Sequence, residues 1–403
     1  MRTLDRLSFY LFAACFVLVM SATSWNAEAS DGNSDTVVIG GIMPMSGPMT
    51  LVGQTWIRGW ELYWEKVNEE GGIKVGDKRY KVKFIPADGK FSAPATLQAA
   101  KKLIYKDKAK FIFGEITNPG AYAIQSVTKK AGVLHLLSWV VNPGEKGDVS
   151  PQSPMVIRTT ISITDTAPID YDYLREAYPD IRSVAIVGWD NTMPVLEHAR
   201  KTAEKFGYEV KILESFPPTT LDLVPVFTKV LAHKPDAIYA PNSPTAGYLL
   251  KAARSLGFKG VFFSDTPLDP DVILLTSGGP ESSVHEFCNG LNVESATEAM
   301  EDVVQRWKKK YNEPFVTDAW LAWDGAWILH QVIEKTGTLD GKEIAKAFES
   351  LTNPGDLKTL FGPARMAGKK EFGANRVLAR PVPITRMDNG KVTFVKFVDS
   401  QAK

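Results

Sequence analysis

The sequence predicts an α/β protein made of two three-layer α/β/α lobes, whose parallel-type sheets are joined by a multi-strand hinge. Short apolar runs alternate with segments of helical periodicity along most of the chain, which is typical of parallel strands joined by crossover helices. The length of 403 residues suits two domains. A segment rich in proline, glycine and charged residues, 143–154, separates two stretches of this alternation, and we interpret it as a surface connection.

The first βα unit spans residues 37–73. The apolar run Val37–Ile39 predicts a buried strand, and turn residues dominate Pro44–Pro48. A helix is then predicted from residues that recur at steps of three and four and so share one face: Ile57, Trp60, Trp64 and Val67. Gly71 and Gly72 are expected to end it. The loop between strand and helix lies where open α/β sheets bind ligands, at the carboxyl ends of the strands.

The first lobe continues with the same alternation. Three further apolar runs predict strands at Tyr80–Pro86, Lys110–Phe113 and Val133–Leu137. One helix is predicted over Pro94–Tyr105, and another ends at Gly132. The start of this second helix is predicted from Asn118 as the N-cap and Pro119 as the first helical residue.

A second lobe is predicted after the chain crosses at Met155–Thr160. Its expected strands are Ser183–Val187, Val210–Leu213, Ala237–Ala240 and Val261–Phe263. Its expected helices are Pro194–Phe206, Leu223–Ala232 and Ala246–Leu256.

From about Asn292 the chain is expected to return to the first lobe. Helices are predicted around 300–307, over Trp320–Ile333 and over Asp340–Phe348, and a hairpin at Asp388-Asn389-Gly390. The predicted division is 36–157 with 290–385 for lobe 1 and 158–289 with 386–403 for lobe 2.

The N-terminal segment 1–29 is predicted to be a signal peptide. Arg2 and Arg6 precede an apolar stretch, and Ala27-Glu28-Ala29 matches the small-x-small cleavage pattern, so cleavage is expected after Ala29 and the mature protein is expected in the periplasm. The apolar stretch is too short for a membrane anchor. A lipoprotein cysteine at Cys15 fits poorly, because Cys15 lies inside the apolar run.

Composition and motifs argue against several classes of function. The net charge of +1, from 47 basic and 46 acidic residues, gives no footprint for nucleic acid. The five histidines are scattered without the spacing of a metal site. No nucleotide-binding glycine motif and no Gly-x-Ser-x-Gly elbow is present. We therefore expect no metal, no cofactor, no catalytic residues and no enzyme activity.

The first βα unit also resembles a known family. The spacing Gly41-x-x-Pro44-x-Ser46-Gly47-x5-Gly53-x5-Gly59, followed by Asn68-x-x-Gly71-Gly72-Ile73, resembles the type I periplasmic solute-binding proteins of ABC importers, and among them the leucine/isoleucine/valine-binding group. The resemblance covers essentially the whole mature chain. It implies a receptor for amino-acid transport that captures a small organic ligand between its lobes and delivers it to the membrane permease and ATPase subunits of an importer. We expect a monomer.

Candidate ligand-binding residues of lobe 1 lie at three predicted loop ends. The first loop contributes Ser46, Val52, Gln54 and Trp56. Ser46 equally suits a simple turn, and Trp56 equally suits packing within the lobe. The second loop contributes Glu115, Thr117 and Asn118, because free N–H groups at a helix start can hold a carboxylate.

The resemblance adds roles to these lobe 1 positions. It places the carboxylate-binding hydroxyl of the family on Asn118, which alternatively caps its own helix. In the third loop, Trp139 and Val141 stand where the family has small and hydroxyl residues, so the carboxylate clamp is weakened and an aromatic face is gained.

Candidate residues of lobe 2 are carried over from the resemblance or lie beside such positions: Trp189, Met193, Asn242, Asp265 and Thr266. The acid that pairs with a ligand ammonium falls on Thr266, one residue after Asp265. Asp265 serves this role only after a one-residue shift, and is otherwise a turn-former. Glu115 of the first lobe is the alternative acid for the ammonium.

These departures leave the ligand open between an amino acid and an aromatic or branched carboxylate. A sensor partner of a membrane receptor would use the same binding physics as a transporter component. An exported hydrolase on this fold is the more distant alternative.

Overall fold

The structure, a computed structural model, describes residues 35–47, 49–138, 149–161, 163–241, 243, 245–265, 270–288, 297–313 and 315–400. The predicted signal peptide therefore lies outside the described residues. Within the described ranges, every helix is too short or too polar to cross a bilayer.

The described residues form sixteen strands. In chain order they are β1 (Asp35–Met43), β2 (Ile73–Val75), β3 (Lys78–Asp88), β4 (Phe111–Phe113), β5 (Leu134–Leu137), β6 (Val156–Arg158), β7 (Ser183–Trp189), β8 (Glu209–Phe216), β9 (Ala237–Tyr239), β10 (Val261–Ser264), β11 (Glu286–Cys288), β12 (Leu357–Thr359), β13 (Gly362–Ala367), β14 (Val377–Ala379), β15 (Val382–Asp388) and β16 (Lys391–Val398).

Helices lie between these strands. Those of the described residues are α1 (Thr50–Glu69), α2 (Ala93–Lys101), α3 (Asn118–Ala131), α4 (Ile163–Ala177), α5 (Met193–Lys205), α6 (Val224–Ala232), α7 (Ala246–Ser255), α8 (Pro270–Ser277), α9 (Glu298–Tyr311), α10 (Asp318–Thr336), α11 (Gly341–Ser350) and α12 (Lys369–Phe372). A π-helical turn, Lys102–Lys106, extends α2.

Two mixed sheets form two α/β lobes. The first sheet has nine strands in the order β12-β13-β14-β6-β5-β4-β1-β3-β2, and the second has seven in the order β16-β15-β11-β10-β9-β7-β8. The central pairs are parallel, whereas β2–β3, β12–β13–β14 and β11–β15–β16 are antiparallel. The prediction of two α/β lobes is confirmed, but only the central strands form sheets of parallel type. The turns of β2–β3, β12–β13 and β15–β16 are too short for a crossover, so these pairs are antiparallel.

The chain passes between the two sheets three times: between β6 and β7, between β11 and the first-lobe helix α9, and between β14 and β15. This is the predicted multi-strand connection. The third passage comes earlier than expected, because β15 pairs with β11 through Thr385 and Cys288. The predicted lobe boundary at residue 385 therefore falls inside β15 rather than before it.

The core of the first lobe lies where α1 packs on α10. Gly59 of α1 makes this close packing possible, because a Cβ there would lie 2.7 Å from the Cβ of Ala322 and 2.8 Å from the carbonyl oxygen of Ala319. Trp60 and Trp64 of α1 are fully buried, in agreement with the predicted helix face. The packing of α1 against α10 thus fixes the position of α1 and of the loop that joins it to β1.

Several local predictions are confirmed and others are wrong. The hairpin at Asn389-Gly390 is confirmed, since both residues have positive φ (51° and 78°) and β15 pairs with β16 on either side. The predicted N-cap Asn118 is wrong: Thr117 caps α3 and accepts the N–H of Gly120. Helix α4 was not predicted, because Pro168 within it breaks the expected pattern.

Candidate functional site

The candidate site begins at the carboxyl ends of the parallel strands β1, β4 and β5. These strands are neighbours in the first sheet, with Gly41 beside Phe113 and Phe113 beside Leu136. Parallel neighbours end at the same edge, so the loops that carry Ser46, Glu115 and Ser138 leave the sheet side by side. This brings together the first two predicted loops and the beginning of the third.

The loop after β1 is fastened to the end of β3. The hydroxyl of Ser46 donates to Oδ2 of Asp88 over 2.7 Å, and the N–H of Met45 donates to Oδ1 over 2.8 Å. Burial alone would raise the pKa of Asp88, but hydrogen bonds from Ser46, Lys90 and Met45 outweigh it and lower that pKa. Asp88 is therefore an ionised anchor for the loop. Nothing in the sequence connects Asp88 with Ser46, because 42 residues separate them.

The other predicted residues of the first loop lie on α1. Val52 and Gln54 are half-buried. Trp56 is completely buried, and its ring centroid lies 5.7 Å from that of Trp60. Of the two roles that the sequence left open for Trp56, the structure places it in the packing of the first core. Gly53 brings the loop onto the helix, since a Cβ there would lie 2.0 Å from the carbonyl oxygen of Pro44.

Glu115 is the most tightly enclosed of the predicted residues. Its side chain is completely buried, and Oε2 accepts the hydroxyl of Thr117 at 2.6 Å and the N–H of Thr117 at 3.2 Å. Burial raises the pKa of the Glu115 carboxyl, and the hydrogen bonds from Thr117 and Ile116 act in the opposite direction. Oε1 has no hydrogen-bond partner among the described residues. Thr117 and Asn118 are half-buried at the start of α3.

Behind this loop lies His135, which the sequence did not single out for the site. Its Nε2 bonds to the carbonyl oxygen of Gly114, so Nε2 carries the proton. Burial lowers the pKa of His135 to about 4, which makes the ring neutral at physiological pH. Its Nδ1 and the hydroxyl of the buried Ser138 have no hydrogen-bond partner within the described ranges. His135 supports the Gly114 turn.

The second lobe presents its predicted residues at the carboxyl ends of its own parallel strands. Trp189 ends β7 and Met193 begins α5, and both are half-buried. Asp265 follows β10, and its Oδ2 accepts the hydroxyl of Thr166 from α4 over 3.2 Å. Asp265 is thus held on the lobe by a contact that the sequence could not show, because α4 was not predicted.

A buried pair near this edge was also missed. The hydroxyl of Tyr239, at the end of β9, donates to Oδ2 of Asp170 over 3.0 Å, and both residues have no exposed surface. The only sequence signal is a tyrosine inside the apolar run that ends β9. The remaining predicted residues, Trp139, Val141, Asn242 and Thr266, lie outside the described residues.

The described part of the chain holds no cluster of three or more histidine, cysteine, aspartate or glutamate side chains that is suited to a metal ion. The polar groups at the two edges are carboxylates held by hydroxyl and N–H donors, together with a neutral histidine. Such groups hold and orient a ligand, whereas nucleophilic catalysis needs a nucleophile within reach of a base.

A family model described as periplasmic binding protein matches residues 36–391. The chain belongs to this family. It is a solute-binding protein and not an enzyme, and as a periplasmic binding protein it is exported. The resemblance read from residues 41–73 is confirmed.

Curated relatives agree with this assignment. The binding protein is 26% identical over 336 residues to "Leu/Ile/Val-binding protein homolog 6" of Brucella abortus, a match that covers 81% of this chain and 83% of the relative. It is 25% identical over 270 residues to "Amino acid binding protein" of Pseudomonas aeruginosa, covering 66% and 69% of the two chains.

Solved structures share the fold. The branched-chain amino acid transporter substrate-binding protein of Streptococcus pneumoniae, in complex with isoleucine, superposes with a TM-score of 0.75 at 18% identity, covering 91% of this chain and 100% of the other. A solute-binding protein of an R. palustris ABC transporter, in complex with 4-hydroxybenzoate, gives a TM-score of 0.74 at 22% identity and covers 91% and 98%.

Proposed function

We propose that this periplasmic binding protein is the solute-binding component of an ABC importer, which captures one small organic ligand between its lobes and delivers it to the permease and ATPase subunits. The observation that carries the proposal is that each sheet has one edge with polar loop residues at the carboxyl ends of its parallel strands. These loops follow β1, β4 and β5 in the first lobe and β7, β9 and β10 in the second. Three passages of the chain between the lobes suit hinged closure on a ligand.

The ligand is an amino acid or an aromatic or branched carboxylate. Proteins of the same fold are named for leucine, isoleucine and valine, or are solved with isoleucine and with 4-hydroxybenzoate. The half-buried residues at the two edges are the proposed contacts: Gln54, Thr117 and Asn118 from the first lobe, and Trp189, Met193 and Asp265 from the second. Their mixture of amide, hydroxyl, carboxylate and apolar groups suits a small ligand with a polar end and an apolar body.

The finer points of the proposal concern the mature protein. It begins after cleavage at Ala29 and acts as a monomer. Its lobes comprise about 36–157 with 290–381, and 158–289 with 382–403, where the second boundary follows the pairing of β15 with β11.

The experiment is a thermal-shift screen of the mature protein against amino acids and aromatic or aliphatic carboxylates. A ligand that binds only the folded state raises the melting temperature by mass action, by several degrees at saturating concentration. The same screen with Asn118→Ala should show binding weakened severalfold, and Leu221→Ala, at a position 98% exposed, is the control. A protein that responds to no solute of the panel would speak against the proposal.

A further inference from the structure

Helix α3 begins against a carboxyl group of the chain itself. Glu115 precedes the helix by three residues, and its Oε2 accepts the hydroxyl and the N–H of Thr117, while Ile116 contributes a backbone hydrogen bond. The first N–H groups of a helix lack partners within the helix and lie at the positive end of its dipole, so they form a natural anion site. In this chain Glu115 accepts the N–H of the N-cap residue Thr117, whose hydroxyl oxygen in turn accepts the N–H of Gly120 in the first turn.

The hydrogen bonds leave Thr117 without a donor for a ligand. A threonine hydroxyl has one proton, and that of Thr117 goes to Glu115 over 2.6 Å. Its oxygen in turn accepts the N–H of Gly120 over 3.1 Å. The hydroxyl proton and N–H of Thr117 and the N–H of Gly120 are therefore all committed within the chain.

Glycine makes room for this arrangement. A Cβ on Gly120 would lie 1.8 Å from Oε2 of Glu115, so the carboxyl group rests directly on the backbone of the first turn of α3. A Cβ on Gly89 would lie 3.7 Å from Oε1, which is buried and has no hydrogen-bond partner among the described residues. A second carboxylate placed at this helix start would collide with the carboxyl group of Glu115 and, when that group is ionised, would also meet a like charge.

We infer that Glu115 is a specificity-determining residue, which fills the anion site at the start of α3 and excludes a ligand carboxylate from it. The inference rests on the proposed function and narrows it. A ligand that carries a carboxylate is held with that group at another loop, and the part of the ligand that faces α3 is uncharged or cationic.

The test compares carboxylates with their uncharged amides. Dissociation constants of benzoate, benzamide, leucine and leucinamide are measured by calorimetry for the native protein and for Glu115→Ala, which frees the donors of Thr117. We expect the preference for carboxylate over amide to shift about tenfold or more towards the carboxylate, because each new hydrogen bond is made to a charged group. The ratio of the two dissociation constants within each carboxylate and amide pair is not affected by a general loss of binding.

Two further variants keep the result interpretable. Glu115→Gln removes the charge but keeps the volume, so it should fold if Glu115→Ala does not, and should give a smaller shift in the same direction. Glu286→Gln, a buried glutamate in β11 of the other sheet, should give no shift.

An unchanged carboxylate-to-amide ratio in both Glu115 variants overturns the inference. Glu115 would then only support the N-cap Thr117, and its loss would show only as a lower melting temperature. The proposed function is judged separately, by whether the native protein binds any solute of the wider panel.

Discussion

The two lobes bury their aromatic residues in different ways. In the first, Trp56, Trp60 and Trp64 of α1 are fully buried, and their indole N–H groups have no hydrogen-bond partner among the described residues. In the second, the ring of Phe263 stacks at 4.4 Å on Tyr239 and at 4.9 Å on Phe287. Tyr239 also donates to the buried carboxyl group of Asp170.

The difference shows what each core depends on. Large indole rings contribute apolar area and shape, so the first core is sensitive to lost volume. In the second core the stacked ring of Tyr239 itself carries a buried polar contact, so this position is also sensitive to a lost hydrogen-bond partner, even where volume is kept. The second lobe thereby holds the carboxyl groups of Asp170 and Asp265 near the carboxyl ends of β9 and β10.

The largest effect is expected from Trp60→Ala in the first core. Trp60 has no exposed surface, and its ring centroid lies 5.1 Å from that of Phe113. Removing it should lower the free energy of unfolding by about 3–5 kcal/mol. Urea denaturation followed by circular dichroism measures this, with Tyr248→Ala, at a position 53% exposed, as the control. A loss below about 1 kcal/mol would show that the first core does not depend on ring volume.

A smaller effect is expected from Tyr239→Phe in the second core. The substitution keeps the stacked ring and removes the donor to Asp170, so the free energy of unfolding should fall by about 1–3 kcal/mol. The same denaturation experiment applies, with the exposed Tyr248→Phe as its counterpart. Equal stability of the native protein and Tyr239→Phe would show that the hydrogen bond from Tyr239 to Asp170 does not stabilise the second core.

The smallest effect concerns pH and Glu286 of β11. Burial raises the pKa of Glu286 to about 8, and the charge of Arg254 opposes this shift. Above pH 4.5, the ordinary pKa of a glutamate, the unfolded chain has released this proton, whereas Glu286 in the folded protein still holds it. The contribution of protonated Glu286 to stability is therefore complete below pH 4.5 and is lost as the pH rises through about 8.

The loss attributable to Glu286 should amount to about 1 kcal/mol between pH 7 and pH 8, on the scale of one pKa unit. Glu286→Gln has no titrating group there, so the stability difference between native protein and variant should change over this interval. Urea midpoints at several pH values measure it. Parallel curves for the two proteins would mean that Glu286 is ionised throughout.

The sequence by itself determined the α/β class, the two lobes and most central elements. Short apolar runs such as those of β4 and β7 indicate buried strands, and the spacing of Trp60 and Trp64 indicates the inner face of a helix, because periodicity shows which side chains are buried. It also determined the hairpin at Asn389-Gly390, since positive φ at both turn residues selects such a pair.

Only the tertiary structure decided how the loop ends are held. Ser46 is anchored by Asp88, and Asp265 by Thr166 of the unpredicted helix α4. Trp56 lies in the core, and the donors of Thr117 are taken by Glu115. The physical reason is that periodicity reports which side chains are buried, whereas the partner of a polar group depends on which strand ends the fold brings side by side.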